Sequence, residues 1–409
     1  MITTDKKQIN KIGWLCAITY FISYLTRLNF GAVVSNISET TGMLETSLAL
    51  APTALFITYG IGQLISGYLG DRIQPKLLIG AGLVVTAFMN LLVPFCKTAE
   101  TMSIFWGING MAQAFMWPPM VKLMLSIMGG EDYKKQTFKV LFGSSAATMF
   151  IYLISPPIVS LFSWKGVFFF SAISAVLGLV LWLFSCPIVD LHARAKVDAN
   201  GNKIKEQRAP FAPVLIFVLF AIVCMGALRD GVTTWLPSYI RDAFKLGSET
   251  AILTGAVLPV FTMICYFGTS YLYRTKLKNP MLCAGVVFGV GLVVSGILTL
   301  LMELGANNVV MSILLISLLT GSMHGVNFIL ISMLPAYFRK KGNTSLMTGV
   351  LNCCVYVGSA ISTYLFPFIA SSGDWGTTVF IWFIIAVVGT AICLLTIRPW
   401  KRFEKTLEE

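Results

Sequence analysis

Twelve apolar runs, most of them about 20 residues or longer, divide this chain of 409 residues. A helix needs about 20 apolar residues to cross the ~30 Å hydrocarbon core of a bilayer, so the runs predict an all-α integral membrane protein with twelve transmembrane helices. Only 12% of the residues are charged, about half the fraction of a typical soluble protein. The runs cover residues 12–35, 47–70, 77–96, 101–128, 140–162, 166–187, 212–238, 249–273, 280–302, 307–336, 345–370 and 374–397.

The longest polar stretch lies between the sixth and seventh runs and indicates a boundary. It carries five basic residues, two before and three after an Asn-Gly-Asn sequence, a composition typical of a linker. We therefore expect an N-terminal six-helix half at residues 1–188, a cytoplasmic linker at 189–211 and a C-terminal six-helix half at 212–409.

The two predicted halves resemble each other in sequence. Ser66–Pro75, after the second run, is echoed by Thr269–Pro280 after the eighth, and Trp164 is echoed by Trp375. Repeats of this kind place a binding site near the membrane midplane, at the interface of the repeats, where rocking of the halves exposes it alternately to each side.

Charge is distributed unequally between the two sets of loops. The N-terminus, the loops after the even-numbered runs and the C-terminus together hold 23 Lys and Arg, whereas the opposite loops hold four. The positive-inside rule then places both termini and the linker in the cytoplasm. The net charge of +12 is explained by these topology signals, and we expect no nucleic-acid partner.

Two arginines lie deep in the runs. Arg27 is the only charged residue between Ile12 and Val34, and about 15 residues of helix place it ~22 Å into the core. A lone arginine at this depth costs at least ~2.5–3.5 kcal/mol on insertion scales, which a fixed anion, a water-filled cavity or an anionic substrate would offset. Arg229 lies 202 residues later, at the matching place in the second half, and only one acid, Asp230, lies comparably deep.

Other side chains exclude several kinds of site. The nine cysteines are scattered, mostly inside apolar runs, and the chain has only two histidines, so we expect no disulfide framework, no metal centre and no cofactor. The glycine-rich stretches follow no strand and lack a following Gly-Lys-Ser/Thr, which excludes a phosphate loop.

A glycine-rich basic loop follows the second run: Gly67-Tyr-Leu-Gly70-Asp71-Arg72-Ile-Gln-Pro-Lys76. Its glycines allow close helix approach, and Asp71 and Arg72 are predicted to pair with neighbouring helix ends and hold one closed state. The spacing resembles the signature loop of the major facilitator superfamily and occupies the matching loop of a twelve-span chain. The alternative is an ordinary basic loop.

The arginine motifs carry a narrower resemblance, to the organophosphate:phosphate antiporters, which exchange glycerol-3-phosphate or hexose phosphates for inorganic phosphate. The matching residues are Tyr24-x-x-Arg27-x-Asn29-Phe30, Tyr59-Gly60, Trp117-Pro118-Pro119 and Leu228-Arg229-x-Gly231-x-x-x-Trp235-x-Pro237-x-Tyr239. The resemblance implies that Arg27 and Arg229 hold the substrate phosphate, and guanidinium groups do bind phosphate oxygens bidentately. The alternative for Arg27 is a structural arginine paired with carbonyls or a carboxylate.

The chain also departs from that family. Gln63 replaces a frequent lysine near the end of the second span, and the fifth span has no histidine. His324 on the tenth span is additional, and it either joins helices or takes part in substrate contact or proton coupling. Asp230 directly follows Arg229, but adjacent helical residues diverge by about 100°, so Asp230 need not face the same cavity. These departures concern the expectation that the substrate is phosphorylated more than the expectation that it is an anion.

We therefore predict a monomeric major facilitator transporter of the cytoplasmic membrane that exchanges a small organic phosphate for inorganic phosphate by alternating access. The predicted substrate-binding residues are Arg27, Arg229, Tyr24, Tyr59, Gln63, Trp117, His324 and Asn352. The predicted gating or coupling residues are Asp71, Arg72 and Asp230.

Three other functions were weighed against this one. The first is a proton- or sodium-coupled symporter of a small carboxylate or sugar acid, in which Asp230 or His324 carries the proton. The second is a transporter-like receptor, which would bind its ligand without flux. The third, an integral-membrane enzyme, is disfavoured because the spans contain no nucleophile–base pair and no paired carboxylates.

Overall fold

A computed structural model shows a helical chain. It describes residues 5–48, 50–188, 212–245, 257–306, 308–341, 344–372 and 375–408. No β-strand occurs in these ranges, as the apolar runs predict. The predicted linker at 189–211 lies outside the described residues.

Contacts between residues divide the chain into two compact units. The first contains Met1–Arg208 and Phe338–Cys353, and the second contains Ala209–Tyr337 and Cys354–Glu409. The short segment Phe338–Cys353 therefore packs with the first unit, although its sequence position lies in the predicted C-terminal half. The predicted boundaries of the two halves stay a prediction.

The first unit is formed by the helices of the N-terminal part of the chain. They are α1 (Lys6–Thr41), α2 (Glu45–Leu48), α3 (Leu50–Gly70), α4 (Pro75–Leu92), α5 (Ala99–Gln113), α6 (Trp117–Ile127) and α7 (Gly130–Ser185). A 3₁₀ turn, Val93–Phe95, extends α4.

Local sequence explains where several of these helices begin and bend. The Asp5 side chain accepts a hydrogen bond from the backbone of Lys7 at the start of α1, which satisfies one of the amide groups that a helix leaves unpaired there. Pro118 and Pro119 stand in the first turn of α6, where a missing amide hydrogen does no harm. Inside α7 the backbone breaks at Ser163, with φ 60°, so that the predicted fifth and sixth spans lie on either side of a kink.

An aromatic cluster fixes the second half of α1 in the first unit. The fully buried Phe30 ring lies 5.3 Å from the Trp106 ring of α5 and 5.9 Å from the Phe168 ring of α7. The Trp164 ring completes the cluster at 5.8 Å from Phe168. Offset and edge-on ring pairs at these distances are favourable beyond their burial, so the helix that carries Arg27 is held from two sides.

The second unit contains the remaining helices. They are α8 (Pro213–Gly226), α9 (Val232–Phe244), α10 (Leu258–Thr275), α11 (Pro280–Glu303), α12 (Val309–Asn327), α13 (Thr344–Ser372), α14 (Trp375–Leu395) and α15 (Ile397–Glu408). Of these, α13 begins in the first unit, to which its residues up to Cys353 belong. A π-helical turn, Ala227–Gly231, joins α8 to α9. A second one, Phe328–Met333, follows α12 and leads into a 3₁₀ segment, Leu334–Lys341.

Seven of the described helical stretches are long and apolar enough to cross a membrane. One of them is α7, which carries two predicted spans, so these stretches account for eight of the twelve. The other four predicted spans lie on α1, α3, the α5–α6 pair and α10. The last helix, α15, is amphipathic and not apolar throughout. It buries Trp400, Phe403 and Leu407 and exposes Arg398 and Lys401.

Candidate functional site

Arg27 lies in the first unit between two tyrosine rings. Its guanidinium carbon is 4.1 Å from the centre of the Tyr24 ring and 5.0 Å from that of Tyr59 on α3. The residue is only 8% exposed. A guanidinium over an aromatic face is stabilised by the ring quadrupole, more strongly when water is excluded. The structure thus brings together three residues that the sequence predicts for substrate binding.

A buried polar network holds α1 next to Arg27. The carbonyl oxygen of Thr26 accepts hydrogen bonds from Asn90 of α4 and Asn109 of α5, both at 3.2 Å. The Thr26 hydroxyl accepts one from Gln113 at 2.9 Å, and Gln113 in turn accepts one from Ser23. These hydrogen bonds connect the backbone of α1 beside Arg27 to α4 and α5.

A second part of this network joins α1 to α7. The Asn29 side-chain amide donates to Asn90 at 2.7 Å and to Ser171 at 3.0 Å. Asn29 belongs to the motif on which the family resemblance depends, and it contacts neighbouring helices. Its partners are not predicted by any motif, although polar residues inside apolar runs are the general signal for such contacts.

Gln63 and Asn352 are also brought together within the first unit. The Asn352 amide donates to the Gln63 side-chain oxygen at 3.0 Å, and Gln63 is fully buried. Trp117 is buried as well, with its ring 5.0 Å from that of Tyr20, which lies 5.0 Å from Tyr24. Trp117 thereby supports the aromatic side chains that cover Arg27.

Arg229 lies in the second unit on the π-helical turn, and it binds the residue that follows it. Its Nε and Nη2 atoms donate to Oδ1 and Oδ2 of Asp230, both at 2.7 Å. Its Nη1 atom donates to Asn327 at 2.9 Å. A π turn is wider than an α turn and frequently marks a functional site. Asp230 therefore shares the environment of Arg229, although an ordinary α-helix would direct the two side chains apart.

Three further side chains complete the surroundings of this ion pair. The Ser359 hydroxyl of α13 donates to Asp230 Oδ2 at 2.5 Å. His324 of α12 is close enough to interact electrostatically with both charged residues, and its Nδ1 atom lies 3.4 Å from the Tyr266 hydroxyl of α10. Ser359 and Tyr266 were not among the predicted site residues.

The signature loop makes the helix-end contact that its sequence suggests. In the first unit, the Asp71 carboxylate accepts hydrogen bonds from the backbone amides of Ser345 at 3.1 Å and Leu346 at 2.9 Å, in the first turn of α13. Lys122 of α6 forms an ion pair with the same carboxylate at 3.1 Å, and both side chains are nearly buried. An acidic group at this end of a helix satisfies unpaired amides and the helix dipole.

Arg72 behaves differently from its neighbour. Its Nη1 atom donates to the carbonyl of Tyr68 on its own helix at 2.9 Å, and its guanidinium lies 3.7 Å from the Tyr68 ring. Arg72 thus caps the carboxyl end of α3, which also suits its charge. Lys122 is not among the predicted site residues, because a lysine near the cytoplasmic end of a span is usually a topology signal.

The helical membrane fold, the charges buried inside its spans and the capped loop define the class of this protein as an integral membrane transporter. The Major Facilitator Superfamily model matches residues 16–290, two thirds of the chain, and the chain belongs to this superfamily. It is a family of transporters and not of enzymes, in agreement with the sequence prediction.

Individual relatives agree with the resemblance found in the arginine motifs. The glycerol-3-phosphate transporter of Bacillus subtilis (strain 168) is 26% identical, over 95% of this chain and 92% of the relative. A probable hexose phosphate transport protein of Chlamydia trachomatis serovar D is 22% identical, over 70% of this chain and 68% of the relative. The resemblance to the organophosphate:phosphate antiporters is thereby confirmed.

A solved structure confirms the fold. The proton:xylose symporter XylE, bound to 6-bromo-6-deoxy-D-glucose, matches with a TM-score of 0.74 over 97% of this chain and 96% of that chain, at 12% sequence identity. At this identity the match concerns architecture alone. The predicted all-α membrane fold of the major facilitator type is therefore confirmed.

Proposed function

We propose that this transporter exchanges a small organic phosphate for inorganic phosphate by alternating access. The observation that carries the proposal is the pair of deep arginines at matching positions, Arg27 and Arg229, 202 residues apart. Each would bind the same anion from its own half of the chain. The substrates of the relatives, a glycerol phosphate and hexose phosphates by their names, suit two guanidinium groups, which match phosphate oxygens in geometry and keep their charge.

The surroundings of each arginine support a binding role. The rings of Tyr24 and Tyr59 lie close to the Arg27 guanidinium and stabilise its charge. Arg229 already holds a carboxylate, that of Asp230, in the bidentate geometry in which it would hold an oxyanion. An entering phosphate would compete with Asp230 for this fork or share it.

The charge balance of the deep residues favours exchange over net transport. Near the middle of the apolar runs the sequence has two arginines against one acid, an excess of positive charge that an anionic substrate would balance. A buried charge without a counterion is costly in a medium of low dielectric constant. An anion neutralises it, so the loaded carrier is expected to change its access more readily than the empty carrier.

We further propose that both termini lie in the cytoplasm and that the protein works in the cell membrane. The support is the unequal distribution of lysine and arginine, 23 in one set of segments against four in the other. A predicted monomer is sufficient for this mechanism, because both arginines come from one chain.

A counterflow assay tests the proposed function. Purified protein is reconstituted into liposomes loaded with inorganic phosphate, and labelled glycerol 3-phosphate, glucose 6-phosphate and a panel of carboxylates are offered outside. We expect uptake of one labelled organic phosphate only when phosphate is inside, with little effect of a collapsed proton gradient. Uptake into liposomes without an internal anion, driven by a proton gradient, would contradict exchange.

The Asp230 contact supports one second candidate, a proton-coupled symporter of a carboxylate. Asp230 shows that a carboxylate fits the Arg229 fork, and a proton on Asp230 would free that fork for a substrate. In this case Asp230→Asn would block gradient-driven uptake yet leave exchange of preloaded substrate intact. If the carrier is an exchanger, the same variant has no gradient-driven uptake to lose.

A further inference from the structure

The apolar face of α15 is anchored to the second unit. Trp400, Phe403 and Leu407 are buried, and the Trp400 ring lies edge-on to the ring of Tyr337, with the ring centres 5.5 Å apart. The helix also packs against α8, α11 and α14. The protein itself covers these apolar side chains, so they are not available to enter a bilayer as those of a free interfacial helix are.

The exposed face of α15 is basic. Four cationic side chains follow one another at intervals of three, one and three residues, so they form one stripe on the helix surface. They are Arg398, Lys401, Arg402 and Lys405. None of the four forms an ion pair with another side chain that the structure describes. Glu404, an acid of the same helix, is half-buried and interacts with Tyr273 of α10.

Lysines near the ends of other spans differ from this stripe. In the first unit Lys6 pairs with Asp132 at 2.8 Å, and Lys134 pairs with Glu131 at 2.9 Å. A basic residue that only signals topology needs nothing beyond its charge and its place in the chain. The stripe on α15 has more than that, because an anchored helix holds four cations together and no described acid compensates them.

A neighbouring loop adds to the basic face. The Tyr273 hydroxyl, near the end of α10, lies 3.1 Å from that of Tyr337, the residue whose ring contacts Trp400. The loop that follows Tyr273 exposes Lys276 and Lys278, and neither pairs with an acid in the described part of the chain. Two further cations therefore lie close to α15.

The position of α15 in the chain brings this face to the membrane surface. The preceding span, α14, ends at Leu395, whose side chain is 78% exposed, and Thr396 alone separates the two helices. Like α14, α8 and α11 belong to stretches that can cross a membrane. A helix of 12 residues is ~18 Å long, and its contacts with three spans indicate that it runs along the surface where they end.

We infer that the basic face of α15, together with Lys276 and Lys278, binds the headgroups of anionic phospholipids. Clusters of four or more bases beside a span attract anionic lipids, by about fivefold in affinity for each base near the surface. A soluble anion meets the same charges, but the lipid-exposed end of α14 beside them favours a ligand that is held in the bilayer. The inference does not depend on which substrate the protein transports.

The test measures lipid binding to the purified transporter in an uncharged detergent. The protein is titrated with a short-chain phosphatidylglycerol and, separately, with a phosphatidylcholine of the same chain length, and bound lipids are counted by native mass spectrometry. We expect tighter binding of phosphatidylglycerol. Added salt should weaken only the binding of phosphatidylglycerol, because attraction between exposed charges is screened.

Substitutions assign the effect to α15. Lys401→Gln with Lys405→Gln should lower the affinity for phosphatidylglycerol by roughly 25-fold, at about fivefold for each base, and leave that for phosphatidylcholine unchanged. Arg398→Lys keeps the charge and should keep the parental affinity. Lys6→Gln with Lys134→Gln is the matched control, because it removes two lysines on the same predicted side of the membrane that are already paired with acids. We expect parental affinity in this control.

Two soluble anions separate a lipid from other ligands. Inorganic phosphate represents a free phosphate, hexaglutamate represents an acidic protein, and the binding of both is measured by calorimetry. Anion binding elsewhere in the protein is common to the parent and the α15 double variant, so only the difference between the two proteins counts. We expect no difference for either anion.

Several results would overturn the inference. Equal affinity of the parental protein for the two lipids would refute it without any variant, which matters if a variant fails to fold. Parental affinity in the α15 double variant, or an equal loss in the matched control, would show that the total charge and not α15 attracts the lipid. A soluble anion that loses as much affinity as phosphatidylglycerol in the α15 double variant would assign this face to a soluble partner.

Discussion

At the scale of single residues, Arg27 and Arg229 are chemically identical but have different neighbours. Arg27 is covered by the rings of Tyr24 and Tyr59, whereas Arg229 holds the carboxylate of Asp230. A ring stabilises a cation without cancelling its charge, and a carboxylate cancels it. The two proposed anion-binding arginines therefore have different local surroundings, aromatic for Arg27 and acidic for Arg229.

We expect Arg27→Lys and Arg229→Lys each to abolish or nearly abolish transport while the protein still inserts and folds. Lysine keeps the charge but loses the planar fork, and one charge-assisted hydrogen bond of about 1.5–3 kcal/mol corresponds to a loss on the order of 10- to 150-fold. The measurement is counterflow at equal amounts of reconstituted protein.

The control for this pair is Arg398→Lys, the same substitution on the exposed face of α15, where we expect parental transport. If Arg27→Lys or Arg229→Lys transports at close to the parental rate, bidentate capture of the anion at that position is wrong.

The deep arginines could be predicted at this scale, but their partners could not. Arg27 and Arg229 stand out because a charge inside an apolar run is costly. The ion pair of Arg229 with Asp230 lies on a π-helical turn, and the helical periodicity of a sequence does not distinguish such a turn from an ordinary α-helix. Ser359 resembles many other small polar residues in the spans, so nothing in the sequence singles it out.

At the scale of helices, the N-terminal end of α13 is held by a contact of three groups, and this contact is where the predicted gating role of Asp71 can be tested. Asp71 caps its first turn, and Lys122 neutralises Asp71 from α6. The three groups belong to distant parts of the sequence. A conformational equilibrium that involves this helix end would be shifted by any change in the three groups.

Asp71→Asn is expected to slow turnover more than it weakens binding. The substitution removes the ion pair with Lys122 and weakens the cap, by about 1–2 kcal/mol together, which is a roughly five- to thirtyfold shift of an equilibrium. The measurements are the rate of exchange at saturating substrate and the equilibrium affinity for the same substrate.

Asp132→Asn provides the comparison for Asp71→Asn. Asp132 pairs with Lys6, whose side chain is 76% exposed, and such surface pairs contribute little. A large loss of affinity in Asp71→Asn, with unchanged turnover of the loaded carrier, would contradict the assignment of Asp71 to gating.

Close helix packing gives a second prediction at this scale. In the second unit, a Cβ atom on Gly226 of α8 would meet the backbone carbonyl of Val355 on α13, which has no room to move aside. We expect Gly226→Ala to destabilise the protein by about 1–3 kcal/mol, as other overpacked positions do. The measurement is thermal unfolding in detergent.

Gly268→Ala on α10 is the matched control, because a Cβ atom there would meet nothing within 4 Å. We expect no loss of stability, since alanine also has the higher helix propensity. Equal unfolding temperatures for the two variants would show that the approach of α8 and α13 is looser than described.

At the scale of the whole molecule, length and hydrophobicity predicted most of the fold. The described parts of the twelve apolar runs lie almost entirely on helices, and the family match confirms the architecture. Sequence could not predict that Phe338–Cys353 packs with the first unit, because an apolar run carries no information about which neighbour will cover it. Sequence also could not predict the kink at Ser163 inside α7. A residue with positive φ is usually a glycine, and this position holds a serine.

Membrane orientation can be tested with a native cysteine. Cys96 is half-buried directly after Val93–Phe95, beside Lys97, in a loop that the positive-inside rule places outside the cell. We expect a membrane-impermeant maleimide to label it in intact cells and to lose this signal in Cys96→Ser.

Burial raises the pKa of the Cys96 thiol, so less of the reactive thiolate is present at neutral pH. Labelling should therefore be slow at pH 7 and become faster as the pH rises. Labelling of Cys96 that requires permeabilised cells would place this loop in the cytoplasm and reverse the proposed orientation.

The polar network around Thr26 has a consequence for biogenesis. The first span leaves the ribosome with Arg27 and several polar groups, but their partners Asn90, Asn109 and Ser171 lie on helices synthesised later. Until those helices arrive, the polar groups of α1 face lipid or the insertion machinery, which is unfavourable. Nascent chains that end after α3 should therefore be retained at the translocon or degraded, whereas chains that extend through α7 should reach the bilayer.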